Sequence, residues 1–211
     1  MNLPFSHDAF LDVFGAYNAA VWPAVMLLWL VTAGVVFALF RTGRLNGQAL
    51  FWLLALHWAW SGVAYHWFFF RSINPAAPIF AMLFIMQAAV FVWLAVVSRG
   101  STRLSPDLRG IIGGALVVYA LAYPLVGVAF GLEYPRLPLF AVPCPTALIT
   151  AGLLVTATDV PRLVNAVPIL WAAIGSSAAF ILGIRADLAL VVAGAVLAVD
   201  TLAPSALGRR A

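Results

Sequence analysis

Apolar stretches of roughly twenty residues alternate with short polar gaps along almost the whole chain. Seven such stretches run roughly over residues 20–40, 48–70, 76–98, 111–130, 138–157, 163–183 and 187–204. A bilayer core about 30 Å thick is crossed by about 20 apolar residues of helix, and a helix satisfies its own backbone groups where no water can. The pattern predicts an all-α polytopic transmembrane helical bundle of seven spans. Proline interrupts the fifth stretch, and without it the count is six. Residues 1–19 read as an outer lead-in, 20–204 as one bundle and 205–211 as a short basic tail.

The gaps differ in charge. Arg41, Arg44, Arg99, Arg103, Arg109 and Arg162 fall in the first, third and fifth gaps, and Arg209 and Arg210 in the tail. Only Arg71, Arg136 and Arg185 fall in the others. Basic residues near span ends are retained on the cytoplasmic side. Eight against three therefore predicts an N-terminus outside and a C-terminus in the cytoplasm.

Composition removes several functions. Residues are 65% hydrophobic and only 9% charged, against about 25% charged in a soluble domain. Nucleic-acid binding does not follow from the basic balance, because no basic cluster or aromatic-interleaved loop is present to hold a phosphate backbone. The chain has no lysine, and a retinal or pyridoxal Schiff base needs a lysine amine. No phosphate-cradling loop is present to support ATP-driven pumping. One cysteine, Cys144, allows no internal disulfide. The N-terminus lacks the basic n-region of a cleavable signal peptide, so the first span is expected to stay.

Local signals refine the picture. Residues 6–18 read either as a short amphipathic helix capped by Ser6, with Phe10, Phe14 and Tyr17 forming one face suited to the headgroup layer, or as a plain lead-in to the first span. The tract 135–145 holds Pro135, Pro138, Pro143 and Pro145 and cannot be helical throughout. Small residues at Gly127 and Gly131, and at Gly175, Ala179 and Gly183, suit close helix packing. Trp58-Ala59 with Gly62 is echoed by Trp171-Ala172 with Gly175, the mark of a faint internal repeat.

Candidate chemistry gathers in the second span. His57 lies near mid-bilayer, and at helical rotation Ser61, Ala64 and Tyr65 fall on its face, with Gln87 of the third span as a facing partner. An ionisable group at that depth marks a functional candidate. His66, nine residues on, lies on the opposite face and about 13 Å away at 1.5 Å per residue, too far to share an ion with His57. Soft sulfur selects soft metals, so Cys144, His66 and Met86 form a candidate metal set, with Met82 beside them. His7, Asp8, Asp12, Glu133 and Asp187 share the outward half with His66 and Cys144. Asp200 lies near the cytoplasmic face, where a tail arginine could pair with it. The residues require no cofactor outright; a soft metal ion or a haem is what they could hold.

The segments His57-Trp58-Ala59-Trp60-Ser61-Gly62-Val63-Ala64-Tyr65-His66, Asn74-Pro75-Ala76-Ala77 and Val142-Pro143-Cys144-Pro145-Thr146 give the chain a family likeness. It resembles a family of bacterial polytopic membrane proteins known only as a domain of unknown function, over nearly its whole length. The resemblance implies a bacterial inner-membrane protein and brings no catalytic residues. Three functions fit: a gradient-driven permease or channel for a metal ion or small solute, an accessory or assembly subunit, and a haem- or quinone-binding redox protein. The permease is the first expectation, and an enzyme is not favoured. The bilayer is the expected partner, beside another copy of the chain or a membrane complex.

Overall fold

A computed structural model describes residues 4–98 and 100–207, the side chains of Pro204 and Ser205 aside. Arg99 and most of the basic tail lie outside the described residues. Helix accounts for 79% of the chain. Seven α-helices follow one another: α1 His7–Thr42, α2 Gly47–Trp60, α3 Ala77–Val97, α4 Leu108–Ala129, α5 Pro143–Val155, α6 Ala166–Leu182 and α7 Ala189–Leu202. Four helical stretches are long and apolar enough to cross a membrane: α1, α3, α4, and α6 with the 3₁₀ turn before it.

Of the two readings of the lead-in, the structure has the plain one. Ser6 does cap, its Oγ accepting from the Ala9 amide at 3.1 Å. The helix then runs on without a break for 36 residues and ends at Gly43, whose φ of +67° closes the last turn. Nothing between Asn18 and Ala20 can stop a helix, so no separate surface helix forms. The aromatic face packs on protein instead, with Phe14 stacked on Tyr65 at 5.5 Å between ring centroids.

Helix α2 passes directly into a nine-residue π-helix, Ser61–Phe69. The wider i→i+5 turns are rare and concentrate at functional sites. Here they carry Tyr65 and His66.

Helix α5 is the centre of the bundle, packed against α2, α4, α6 and α7. Its 13 residues span about 20 Å at 1.5 Å per residue. Every one but Cys144 is buried. It meets α4 where two glycines face each other: a Cβ on Gly113 would lie 2.6 Å from the Gly152 carbonyl oxygen. A Cβ on Gly152 would lie 2.7 Å from the Gly113 oxygen. The Gly127/Gly131 pair expected to pack a helix does not do so. A Cβ on Gly127 would touch only the tips of Leu132 and Leu137, and Gly131, at φ +91°, lies in the turn after α4.

The proline tract enters the bundle as irregular backbone, which is tolerated there only if its carbonyls are satisfied. Side chains do this. Asn18 Nδ2 donates to the Pro135 and Leu137 oxygens at 2.7 and 2.8 Å. Ser61 Oγ donates to the Ala141 oxygen at 3.1 Å. Ala141 is held at φ +63°, a strained conformation for a residue with a Cβ.

The two ends of the bundle divide the arginines. Strand β1 (Arg44–Asn46) pairs antiparallel with β2 (Ser101–Arg103), and Thr102 bridges to Ala157, so the first, third and fifth gaps meet. The opposite end collects the start of α1, the proline tract and the α6–α7 turn, with His7 Nδ1 2.8 Å from the Leu182 oxygen. Each of the three arginines there is engaged. Arg71 lies over Trp67, Arg185 over Phe130, and Arg136 between Asp8 and Asp12.

Candidate functional site

A cavity of about 150 Å³ lies in the arginine-poor end. The π-helix supplies Tyr65 and His66, α4 supplies Tyr123, the first turn of α5 supplies Cys144, and α6 supplies Trp171 and Gly175. Asp187 enters from the turn before α7. Phe5 and Phe10, their rings stacked at 5.9 Å, close it from the N-terminal side.

Its polar groups divide into satisfied and unsatisfied. The buried Asp187 carboxylate accepts from the Tyr123 hydroxyl, and Cys144 lines the cavity beside it. His66 is fully buried, its ring 5.1 Å from Trp171 and 4.8 Å from Phe84 between centroids. Neither His66 nitrogen has a hydrogen-bond partner among the described residues, and neither does Trp171 Nε1. Gly175 lies close to both Trp171 and Cys144: a Cβ there would sit 3.7 Å from Trp171 Nε1 and 3.8 Å from Cys144 Sγ, and only 2.6 Å from Leu190 Cδ1 of α7. Buried polar groups are normally paired, so three unpaired nitrogens at one cavity call for explanation.

The predicted residues fare unequally. His66, Cys144, Asp187 and Tyr65 come together at the cavity. His57 does not line it; its Nε2 lies 2.9 Å from Thr32 Oγ1 and its ring packs edge-on against Phe140. Gln87 does not reach His57 and instead donates to the Val164 oxygen at 3.2 Å. Ser61 faces Thr146 at 3.0 Å. The polar face drawn from helical rotation is therefore divided among several neighbours.

The metal set does not assemble. Met86 and Met82 turn outward on α3, 60% and 68% exposed, away from Cys144. Among the described residues no three histidine, cysteine or acidic side chains come together to hold a metal ion. His7 is spent on the Leu182 carbonyl. Asp8 and Asp12 hold Arg136 at 3.1 and 2.8 Å, and Glu133 is exposed. Asp200 pairs with Arg109 of α4 at 2.5 Å; the tail arginines expected as its partners lie outside the described residues.

Trp171, Tyr123 and Asn74 were not singled out for the site from sequence, yet all three line the cavity. The available signal was an indole N–H one turn before a glycine in an otherwise apolar helix. The three segments that carry the family resemblance all reach this end, contributing His66, Asn74 and Cys144 to the cavity wall.

Residues 7–209 match a family described as a family of unknown function, DUF6064. The chain belongs to this family. No curated protein and no solved structure matches it. Membership in DUF6064 covers the bundle from the first turn of α1 to beyond α7, so every residue of the cavity wall but Phe5 lies within the shared region.

Proposed function

We propose that this member of DUF6064 is a multi-pass protein of a bacterial cytoplasmic membrane that binds a small, largely apolar solute in the cavity at its arginine-poor, outward end. The eight-to-three division of arginines supports this orientation, with α1 beginning outside. Helix α2 with its π extension gives 23 continuous residues, Gly47–Phe69, enough to cross beside the four long helical stretches. The short α5 and α7 cross together with the buried connections that flank them. The exterior is apolar, with Leu27, Phe37 and Leu125 among its exposed side chains, and the bilayer is its natural partner.

One observation carries the solute reading: an aromatic-walled cavity with hydrogen-bonding groups left unpaired. Ligand sites are concave and mostly apolar, with a few placed polar groups. A cavity of about 150 Å³ is the size that holds benzene in an engineered protein core. That suits a single small ring and gives no support to haem.

A permease built on the same site is the second reading. Beneath the cavity, hydroxyls of α5 form a buried polar column: Thr146 with Ser61 at 3.0 Å, then Thr150 with Trp58 Nε1 at 2.9 Å. Transport past them requires Phe140 and Ala141 to withdraw, and uptake into proteoliposomes that is abolished by Thr146→Val tests it.

Cys144 is the sole cysteine of the chain, so its modification reports on the cavity alone. In right-side-out vesicles, saturating toluene should slow alkylation of Cys144 by a small thiol reagent several-fold. An unchanged rate removes the binding proposal.

A further inference from the structure

Resting on that solute reading, the geometry points to a ligand class: a single-ring compound carrying a hydroxyl group, of the size and polarity of phenol. The argument begins with what the cavity has left unmet. Asp187 already accepts from Tyr123 and is not among the unpaired groups. The unmet groups are Trp171 Nε1 and the two nitrogens of His66, both side chains at least nine-tenths buried and both lining the cavity.

Their chemistry restricts the partner. An indole N–H only donates, so the ligand must present an acceptor. A neutral imidazole offers one donor and one acceptor. A hydroxyl oxygen can accept from Trp171 while its hydrogen goes to a His66 nitrogen, satisfying groups on both π-helix and α6. A simple hydrocarbon meets neither need. A tetraalkylammonium ion suits aromatic walls but has nothing to offer an indole N–H. The ring follows from the surroundings: His66 and Trp171 stand nearly perpendicular, at 74°, and Phe80 meets Trp171 edge-on at 5.4 Å. Aromatic walls favour such edge-to-face contacts with a further ring. Gly175, four residues after Trp171, lets Leu190 of α7 close in, its Cδ1 2.6 Å from where a Cβ would stand.

The test is a titration of the full-length detergent-purified protein with phenol, toluene, anisole and tetramethylammonium, each corrected for partition into micelles. Phenol should bind about tenfold more tightly than toluene, the ratio expected of one net hydrogen bond, and more tightly than anisole, which accepts but cannot donate. Trp171→Phe should bring phenol and toluene to within about threefold while leaving toluene unchanged. The wild-type comparison stands even where that variant does not fold. Equal binding of phenol and toluene, or of phenol and anisole, overturns the hydroxyl assignment and leaves the cavity reading intact. Competition by tetramethylammonium replaces it with a cation site. Failure of every ring compound to bind removes the solute reading itself.

Discussion

Arg109 and Asp200 form a buried ion pair, 2.5 Å from nitrogen to oxygen, that ties α4 to α7 at the arginine-rich end. Arg109 Nη1 also donates to the Val155 oxygen at 3.1 Å, which brings in the last turn of α5. Removing one partner takes the buried counter-charge from the other, and breaking a buried pair in this way typically costs about 3–5 kcal/mol, whereas apolar replacement of both is often neutral. Arg109→Met and Asp200→Leu should each destabilise by that order, and the double variant should recover most of the loss. Unfolding in mixed micelles measures all three. Single variants within about 1 kcal/mol of wild type would show the pair to be dispensable.

The α4–α5 crossing makes a sharper demand on side-chain size. A Cβ on Gly113 would stand 2.5 Å from Thr156 Cγ2 and 2.6 Å from the Gly152 oxygen, and the oxygen is backbone that cannot swing away. Gly113→Ala should cost about 1–3 kcal/mol as overpacking. Gly34, with nothing within 4 Å of a built Cβ, is the control. Gly34→Ala should be neutral or stabilising by up to about 1 kcal/mol through helix propensity. Similar losses at both positions, read from thermal unfolding, would contradict the crossing.

His57 is held by Thr32 and does not face the cavity. Thr32→Val leaves a buried imidazole nitrogen without its partner and should cost about 1–3 kcal/mol. Thr32→Ser should restore most of it. Protection of Cys144 by solute should be the same in all three proteins. A Thr32→Val protein that folds normally but loses that protection would assign His57 to the site.

At the arginine-rich end, Asp107 caps α4 by accepting from the Gly110 amide at 2.8 Å. That backbone hydrogen bond, helped by Ser105 and Arg109, holds the carboxyl below its ordinary value. A carboxyl depressed on folding stabilises the native state above its unfolded value of about 3.9 and loses that contribution as pH falls through the lower folded value. Stability should therefore decline below about pH 4 in part through Asp107. Asp107→Asn should keep the cap and flatten that part of the profile, while Asp107→Ala should lose about 1 kcal/mol near neutral pH. An Asn variant with the wild-type slope between pH 5 and pH 3 would exclude this cap from the acid response.

What could be read in advance follows from what is periodic. Apolar runs and their arginine-bearing gaps announced the helices and the sorting of connections to two ends, because both depend on residue type alone. The break at the proline tract was legible for the same reason, since each proline removes a backbone donor. The π-helix over Ser61–Phe69 was not. Nor was the close crossing at Gly113, since a glycine in an apolar helix looks alike whether or not a neighbour needs the space. Convergence of His66, Cys144 and Asp187 required knowing which helices pack together, and their spacing of 78 and 43 residues along the chain holds no trace of it. Met86 shows the reverse error: an attractive donor type on the wrong face of α3.

The solute site has an entrance only if the proline-rich connection faces the periplasm while the β1–β2 end faces the cytoplasm. Reporter fusions after Ser105 and after Phe140, in otherwise intact chains, measure this directly. The account predicts opposite compartments, with the fusion at Phe140 active only outside and the one at Ser105 only inside. Both reporters in one compartment, or the two exchanged, would contradict it.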